Sequence, residues 1–127
     1  MQTKINMKVS FGSIKISDES KKHIAEVLES NKISMGPKVG QLEQEWGELF
    51  NYKYNIATAS GTDAGTAACM ALYEFGAERG DEIIAPALAF ISVGNSILAA
   101  GFKPVFVDIE KHTLNINPNK IEEKITK

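Results

Sequence analysis

Apolar residues recur at helical spacing in two segments of the first half of the chain. Ser17 is placed to cap the first predicted helix, and the acidic side chains after it suit the positive end of a helix. Pro37 stands in the first turn of the second helix, where its missing amide proton costs little. The apolar stripe of this helix includes Trp46, which we interpret as a core residue. Before the first helix, the alternation of apolar and polar residues predicts that 1–16 form an extended arm.

Short apolar runs alternate with helical patterns from residue 54 onward. The pattern predicts strands at 54–59, 82–86 and 103–108, and helices at 61–76, 90–101 and 116–127. Gly76 and Gly101 are expected to end the first two of these helices. This order predicts an α/β fold with an open, mostly parallel sheet and flanking helices. We therefore divide the chain into an amino-terminal arm with helices, 1–53, and the first, incomplete βαβαβα part of a larger domain, 54–127.

Ligands of open parallel sheets bind beyond the carboxyl ends of the strands. Ser60, Gly61 and Thr62 follow the first predicted strand there and open a helix. Amides at a helix start can bind a phosphate, glycine permits close approach, and the two hydroxyls add donors. The alternative is a capped turn that binds nothing, which this short stretch taken alone favours.

Two further residues follow predicted strands. Phe90 either stacks on a flat cofactor ring or packs in the core, and Asp108 either contacts a substrate or caps its loop. Cys69 is interpreted as a small core residue. His23 and His112 are interpreted as surface residues, because neither has a second ligand at metal-binding spacing.

Composition narrows the class of protein without identifying it. The chain of 127 residues is 43% apolar and 24% charged, as is usual for a soluble globular domain. A net charge of −2 offers no basic surplus for nucleic acid or an anionic membrane. A single cysteine, the absence of a signal peptide and the lack of a membrane span favour the cytoplasm.

Five motifs together resemble one family. "ISMGP", "SGTDA", "GDEIIAP", "AGFKPVFVD" and "LNINP" occur in the order found in the DegT/DnrJ/EryC1/StrS sugar aminotransferases, from about Phe11 to the end of the chain. The resemblance implies the amino-terminal part of the aspartate-aminotransferase (PLP type I) fold, with pyridoxal 5'-phosphate as cofactor. It implies that Ser60, Gly61 and Thr62 hold the cofactor phosphate and that Phe90 lies against the pyridine ring.

The family resemblance also implies a reaction and partners. Its members usually transfer an amino group from glutamate to a keto group on a nucleotide-linked sugar, for surface polysaccharides or antibiotics. The "ISMGP" loop resembles a segment near the sugar nucleotide, often across a subunit boundary, which implies a homodimer. Two alternatives stay open: a dehydratase of the same family, in which a histidine replaces the cofactor-binding lysine, and a non-catalytic interaction module.

Three positions depart from the family pattern. Gly65 stands where the family usually has leucine, at a cost of roughly 1 kcal/mol in a helix interior relative to alanine. Ala89 and Val93 stand near positions where family members often carry threonine. These changes affect side chains near the cofactor and leave the backbone seat and Phe90 unchanged.

The resemblance places the cofactor-binding lysine and the acid that pairs with the pyridine nitrogen downstream of Lys127. None of the lysines here lies in a matching motif. The chain is therefore expected to be an amino-terminal fragment without transaminase activity.

A fragment with an unpaired sheet edge is expected to be marginally stable or to self-associate. Sedimentation and thermal melting of the 127-residue chain over a range of concentrations check this expectation. A sharp melt of a monomer, independent of concentration, would contradict it.

Overall fold

The computed structural model describes residues 12–126. Most of the arm predicted for 1–16 lies outside this range, and residues 12–16 form neither helix nor strand. The chain divides into two compact units, which join between Asn55 and Ile56.

The first unit contains two α-helices with the predicted start signals. Helix α1 spans Asp18–Glu29, and the Ser17 hydroxyl caps it by accepting from the Ser20 amide at 3.0 Å. Helix α2 spans Pro37–Phe50. Both predicted helices are thus confirmed.

The prediction that Trp46 is a core residue is wrong. Its side chain is 51% exposed, and its main aromatic neighbour is Phe50, one helical turn away, with ring centroids 4.6 Å apart. Neighbouring apolar side chains such as Leu42 and Leu49 are also exposed. Two short helices offer too little surface to enclose the apolar stripe of either one.

The second unit contains a parallel sheet and its connecting helices. Its elements are α3 (Gly61–Ala71), a 3₁₀ turn (Leu72–Phe75), β1 (Glu82–Pro86), α4 (Ser92–Ala99), β2 (Lys103–Val107) and two further 3₁₀ turns (Pro118–Lys120 and Glu122–Lys124). The two strands are parallel, with Ile84 opposite Val105. Gly76 and Gly101 both adopt φ of 92° and end helical segments as predicted. No helix within residues 12–126 has the length and apolar character needed to cross a bilayer.

The core of this unit lies where α4 packs on the sheet. Ala85, Ile97, Ala100 and Phe102 form its buried cluster. Cys69 is half-buried and packs against that cluster, which confirms its interpretation as a small core residue.

Two predicted elements differ in the structure. Residues 54–59 form no strand, because the sheet of the described residues contains only β1 and β2 and neither pairs with this segment. The helix predicted at 116–127 is replaced by the two 3₁₀ turns. The backbone becomes extended at Ile125, and the few residues before it are too short for a stable α-helix.

Tyr73, in the 3₁₀ turn that follows α3, connects this turn to the end of α4. Its hydroxyl donates to the Ala100 carbonyl at 2.7 Å, and its ring stacks on Phe102 with centroids 4.8 Å apart. Tyr73→Phe should lower the free energy of unfolding by about 1 kcal/mol, because it leaves the partly buried carbonyl without this donor. Urea denaturation of the intact protein measures the change. The control is Tyr54→Phe, whose side chain is exposed, and an equal loss in both variants would contradict this assignment.

Candidate functional site

The first turn of α3 presents free backbone amides. Ser60 is the N-cap, and its hydroxyl accepts from the Asp63 amide at 3.1 Å. The Ser60 carbonyl accepts from the Ala64 amide at 3.0 Å. Within residues 12–126, the amides of Gly61 and Thr62 have no hydrogen-bond acceptor, as expected at a helix start. These two amides and the positive end of the helix can together bind an anion.

The side of the turn at Gly61 is open. A Cβ built on Gly61 would meet no atom within 4 Å. Gly61 also lines a cavity of about 270 Å³, together with Pro86 at the end of β1 and Ser92 at the start of α4. The structure thus brings the start of α3, the end of β1 and the first turn of α4 to one cavity.

Capping already occupies the Ser60 hydroxyl. Besides accepting from the Asp63 amide, this hydroxyl donates to the Asp63 carboxylate at 2.9 Å. An anion at the helix start is therefore met first by the Gly61 and Thr62 amides, and the Ser60 hydroxyl must turn away from Asp63 to donate to it. The capped-turn geometry is present, and it leaves the two free amides available.

Phe90 does not pack in the core. Its side chain is 73% exposed, in the loop that leads into α4. Its carbonyl accepts from the Val93 amide at 3.0 Å, which ties its backbone to the first turn of that helix. The core interpretation of this residue is wrong, and the ring is accessible to a flat ligand.

Sequence reasoning missed Ser96. Its side chain is buried in α4, and its hydroxyl donates to the Thr62 carbonyl at 2.9 Å. A Cβ at Gly65 would lie only 2.7 Å from the same hydroxyl oxygen, so the glycine allows α3 and α4 to approach. The signal in the sequence was Gly65 itself, an unfavourable residue inside an alanine-rich helix.

Asp108 holds the loop that follows β2. Its carboxylate accepts from the Ile109 amide at 2.9 Å and forms an ion pair with Lys120, with 3.1 Å between Nζ and Oδ2. Its carbonyl accepts from the Asn117 amide at 3.0 Å. These contacts support the loop-cap interpretation of Asp108.

The two histidines are exposed, as predicted. In the part of the chain that the structure describes, no group of three His, Cys, Asp or Glu side chains is arranged to hold a metal ion.

Comparison with known proteins gives consistent matches over most of the chain. The model of the DegT/DnrJ/EryC1/StrS aminotransferase family matches residues 14–127. A 3-oxo-glucose-6-phosphate:glutamate aminotransferase of Bacillus subtilis is 43% identical over 103 residues, which are 81% of this chain and 23% of that protein. A UDP-2-acetamido-2-deoxy-3-oxo-D-glucuronate aminotransferase of Pseudomonas aeruginosa is 36% identical over 112 residues, 88% of this chain and 30% of that one.

A solved structure extends the comparison to the fold. The E. coli GDP-4-keto-6-deoxy-D-mannose-3-dehydratase with bound hydrated PLP superposes with a TM-score of 0.79 and 32% identity, over 90% of this chain and 30% of that one. The helices and small parallel sheet are thus those of the amino-terminal part of a PLP fold-type I enzyme. The chain belongs to the DegT/DnrJ/EryC1/StrS aminotransferase family. It spans less than a third of the length of each of these relatives.

Lys120 holds the pKa of the Asp108 carboxyl below its usual range, through a side-chain hydrogen bond and its charge, and the Ile109 amide adds to the effect. Lys120→Met should therefore raise this pKa, which a carboxylate NMR titration measures. Because the folded-state pKa is the lower one, the stabilisation is present above the ordinary carboxyl pKa and is lost as the pH falls through the folded value. Lys124→Met is the matched control. An Asp108 titration that is the same with and without Lys120 would contradict the ion pair.

Proposed function

We propose that this chain is the amino-terminal portion of a pyridoxal-phosphate-dependent sugar aminotransferase. The observation that carries the proposal is the start of α3, where the Gly61 and Thr62 amides have no acceptor among the described residues, in a chain of this family. In this proposal Ser60, Gly61 and Thr62 hold the cofactor phosphate, and residues 54–127 form the first part of the cofactor-binding domain.

The residues at this site fit the cofactor in two respects. The Gly61 and Thr62 amides supply donors to a phosphate dianion, and no side chain at Gly61 blocks it. The exposed ring of Phe90 supplies a flat apolar surface against which a pyridine ring can stack. When bound, the cofactor supplies the electron sink that amino-group transfer requires. Asp63 opposes the phosphate electrostatically, because its carboxylate lies in the same helical turn.

The proposed substrate is a keto sugar, with glutamate as the amino donor. Two similar proteins are named as aminotransferases of 3-oxo sugars, one a sugar phosphate and the other a UDP sugar. The nucleotide-linked sugar remains our first choice, and a sugar phosphate is its nearest alternative. We propose a homodimer in the cytoplasm as the working state of the protein.

Two other functions are outcomes of the same test. The similarity to a GDP-sugar 3-dehydratase keeps dehydration as the second enzymatic candidate. The third candidate is a non-catalytic module. Because the described chain contributes no lysine in a cofactor-binding motif, we propose that residues 1–127 alone do not catalyse transamination.

Absorbance spectroscopy of the intact protein with pyridoxal phosphate tests the proposal. We expect a near-visible band that borohydride removes, and consumption of glutamate when a keto sugar nucleotide is added. Release of water from the sugar without its amination would favour the dehydratase. No band and no binding would contradict the aminotransferase and the dehydratase alike.

Phe90→Leu tests the ring surface within the same assay. We expect the dissociation constant for pyridoxal phosphate to rise about twofold to tenfold, as expected for loss of an aromatic stacking contact. Phe75→Leu is the matched control, since Phe75 is also exposed but lies in the 3₁₀ turn after α3. Equal effects of the two substitutions would argue against a role for Phe90 at the cofactor.

A further inference from the structure

Ser96 is a buried hydroxyl whose partner lies in the first turn of another helix. Only 4% of the residue is exposed, and its Oγ donates to the Thr62 carbonyl across 34 positions of sequence. This hydrogen bond connects α4 to α3 at Thr62, and the amide of Thr62 is one of the two free donors. The Ser96 hydroxyl is thus engaged by the Thr62 carbonyl, at the first turn of α3.

Gly65 makes the contact with Ser96 possible. A Cβ at Gly65 would lie 2.7 Å from Ser96 Oγ and 3.1 Å from Ser96 Cβ, closer than side chains normally approach. Any side chain at 65 must therefore displace the hydroxyl from Thr62 or push the two helices apart. Gly65 and Ser96 are thus sterically matched where α3 meets α4.

We propose that Gly65 and Ser96 form a positioning pair that sets the orientation of the Gly61 and Thr62 amides and so the affinity for the cofactor phosphate. The proposal rests on the proposed function. An anion is bound well by two amides only where both N–H groups converge on it, so a small tilt of the first turn weakens both hydrogen bonds. In this proposal the pair does not touch the ligand and acts through the Thr62 carbonyl, one peptide group after the free Thr62 amide.

The Thr62 carbonyl has a second hydroxyl donor, which provides a matched control. Thr66 Oγ also donates to it at 2.9 Å, but from within α3. Thr66→Ala therefore removes a donor to the same oxygen without releasing α3 from α4. Because Thr66 still satisfies this carbonyl in Ser96→Ala, that variant leaves no buried acceptor unpaired.

The test compares the dissociation constants of pyridoxal 5'-phosphate and of pyridoxal in the intact protein. Ser96→Ala should weaken binding of the phosphorylated ligand about threefold to tenfold, with pyridoxal unchanged. Gly65→Ala should have the same effect by displacing the hydroxyl, and the double variant should be no weaker than either single one, because all three lose one hydrogen bond. Thr66→Ala should stay within about twofold for both ligands.

Each outcome decides the proposal. If Ser96→Ala weakens both ligands equally, or neither, the pair serves packing alone and the inference is wrong. Additive effects of Gly65→Ala and Ser96→Ala would also overturn it. If the unsubstituted protein binds no pyridoxal phosphate, the proposed function fails and the inference fails with it. This result differs from failure of the inference alone, in which the unsubstituted protein binds the cofactor normally. Since Ser96→Ala only deletes an oxygen atom, it tests the proposal even where Gly65→Ala, whose Cβ also crowds the Ser96 Cβ, is poorly folded.

Discussion

The parallel pairing of β1 with β2 is the constraint on which the rest of the site depends. Parallel strands cannot be joined by a tight turn, so the chain between Pro86 and Lys103 must cross back over the sheet. It does so as α4, which buries Ile97 and Ala100 at the core. The same helix begins at the cavity beside Gly61 and carries Ser96 to the first turn of α3. Pairing of the strands thereby determines where the free amides of α3 lie.

The candidate site is built mainly from backbone groups, and its side chains serve to hold that backbone. The Ser60 hydroxyl caps the turn through Asp63, and the Ser96 hydroxyl ties the Thr62 carbonyl to α4. Gly65 stands where another group comes close, because a Cβ there would meet Ser96, whereas Gly61 leaves open space beside the cavity. Small residues predominate because close approach, rather than side-chain chemistry, is what a backbone anion site requires.

Much apolar surface remains exposed in the described residues. Trp46, Leu49, Ile56 and Phe75 are at least half exposed. Contiguous apolar surface of this kind is typical of places where another protein surface packs. The same lack of cover explains why the core prediction for Trp46 is wrong, because helical periodicity shows which face is apolar but not whether anything packs on it.

Local signals in the sequence are sufficient for the elements whose stability is local. Ser17 and Pro37 mark helix starts, Gly76 and Gly101 mark ends, and the alternation of strands with helices predicts the parallel sheet. The strand prediction for 54–59 is wrong because a strand exists only where a partner pairs with it, and the residues of this segment do not encode that partner. The order of the five motifs is a property of the sequence alone, and it indicates the family correctly.

The sequence by itself determined the fold class, the helix that begins at Gly61 and the family. Only the tertiary structure decided that Phe90 is exposed, that Asp108 is engaged by Lys120, and that Ser96 reaches Thr62. The reason is that capping and periodicity act over a few neighbouring residues, whereas exposure and long-range hydrogen bonds depend on which helix packs against which strand. Gly65 illustrates both kinds of information. The unfavourable helix propensity of glycine is visible in the sequence, whereas the nearby Ser96 hydroxyl, which leaves no room for a side chain, is visible only once α3 packs against α4.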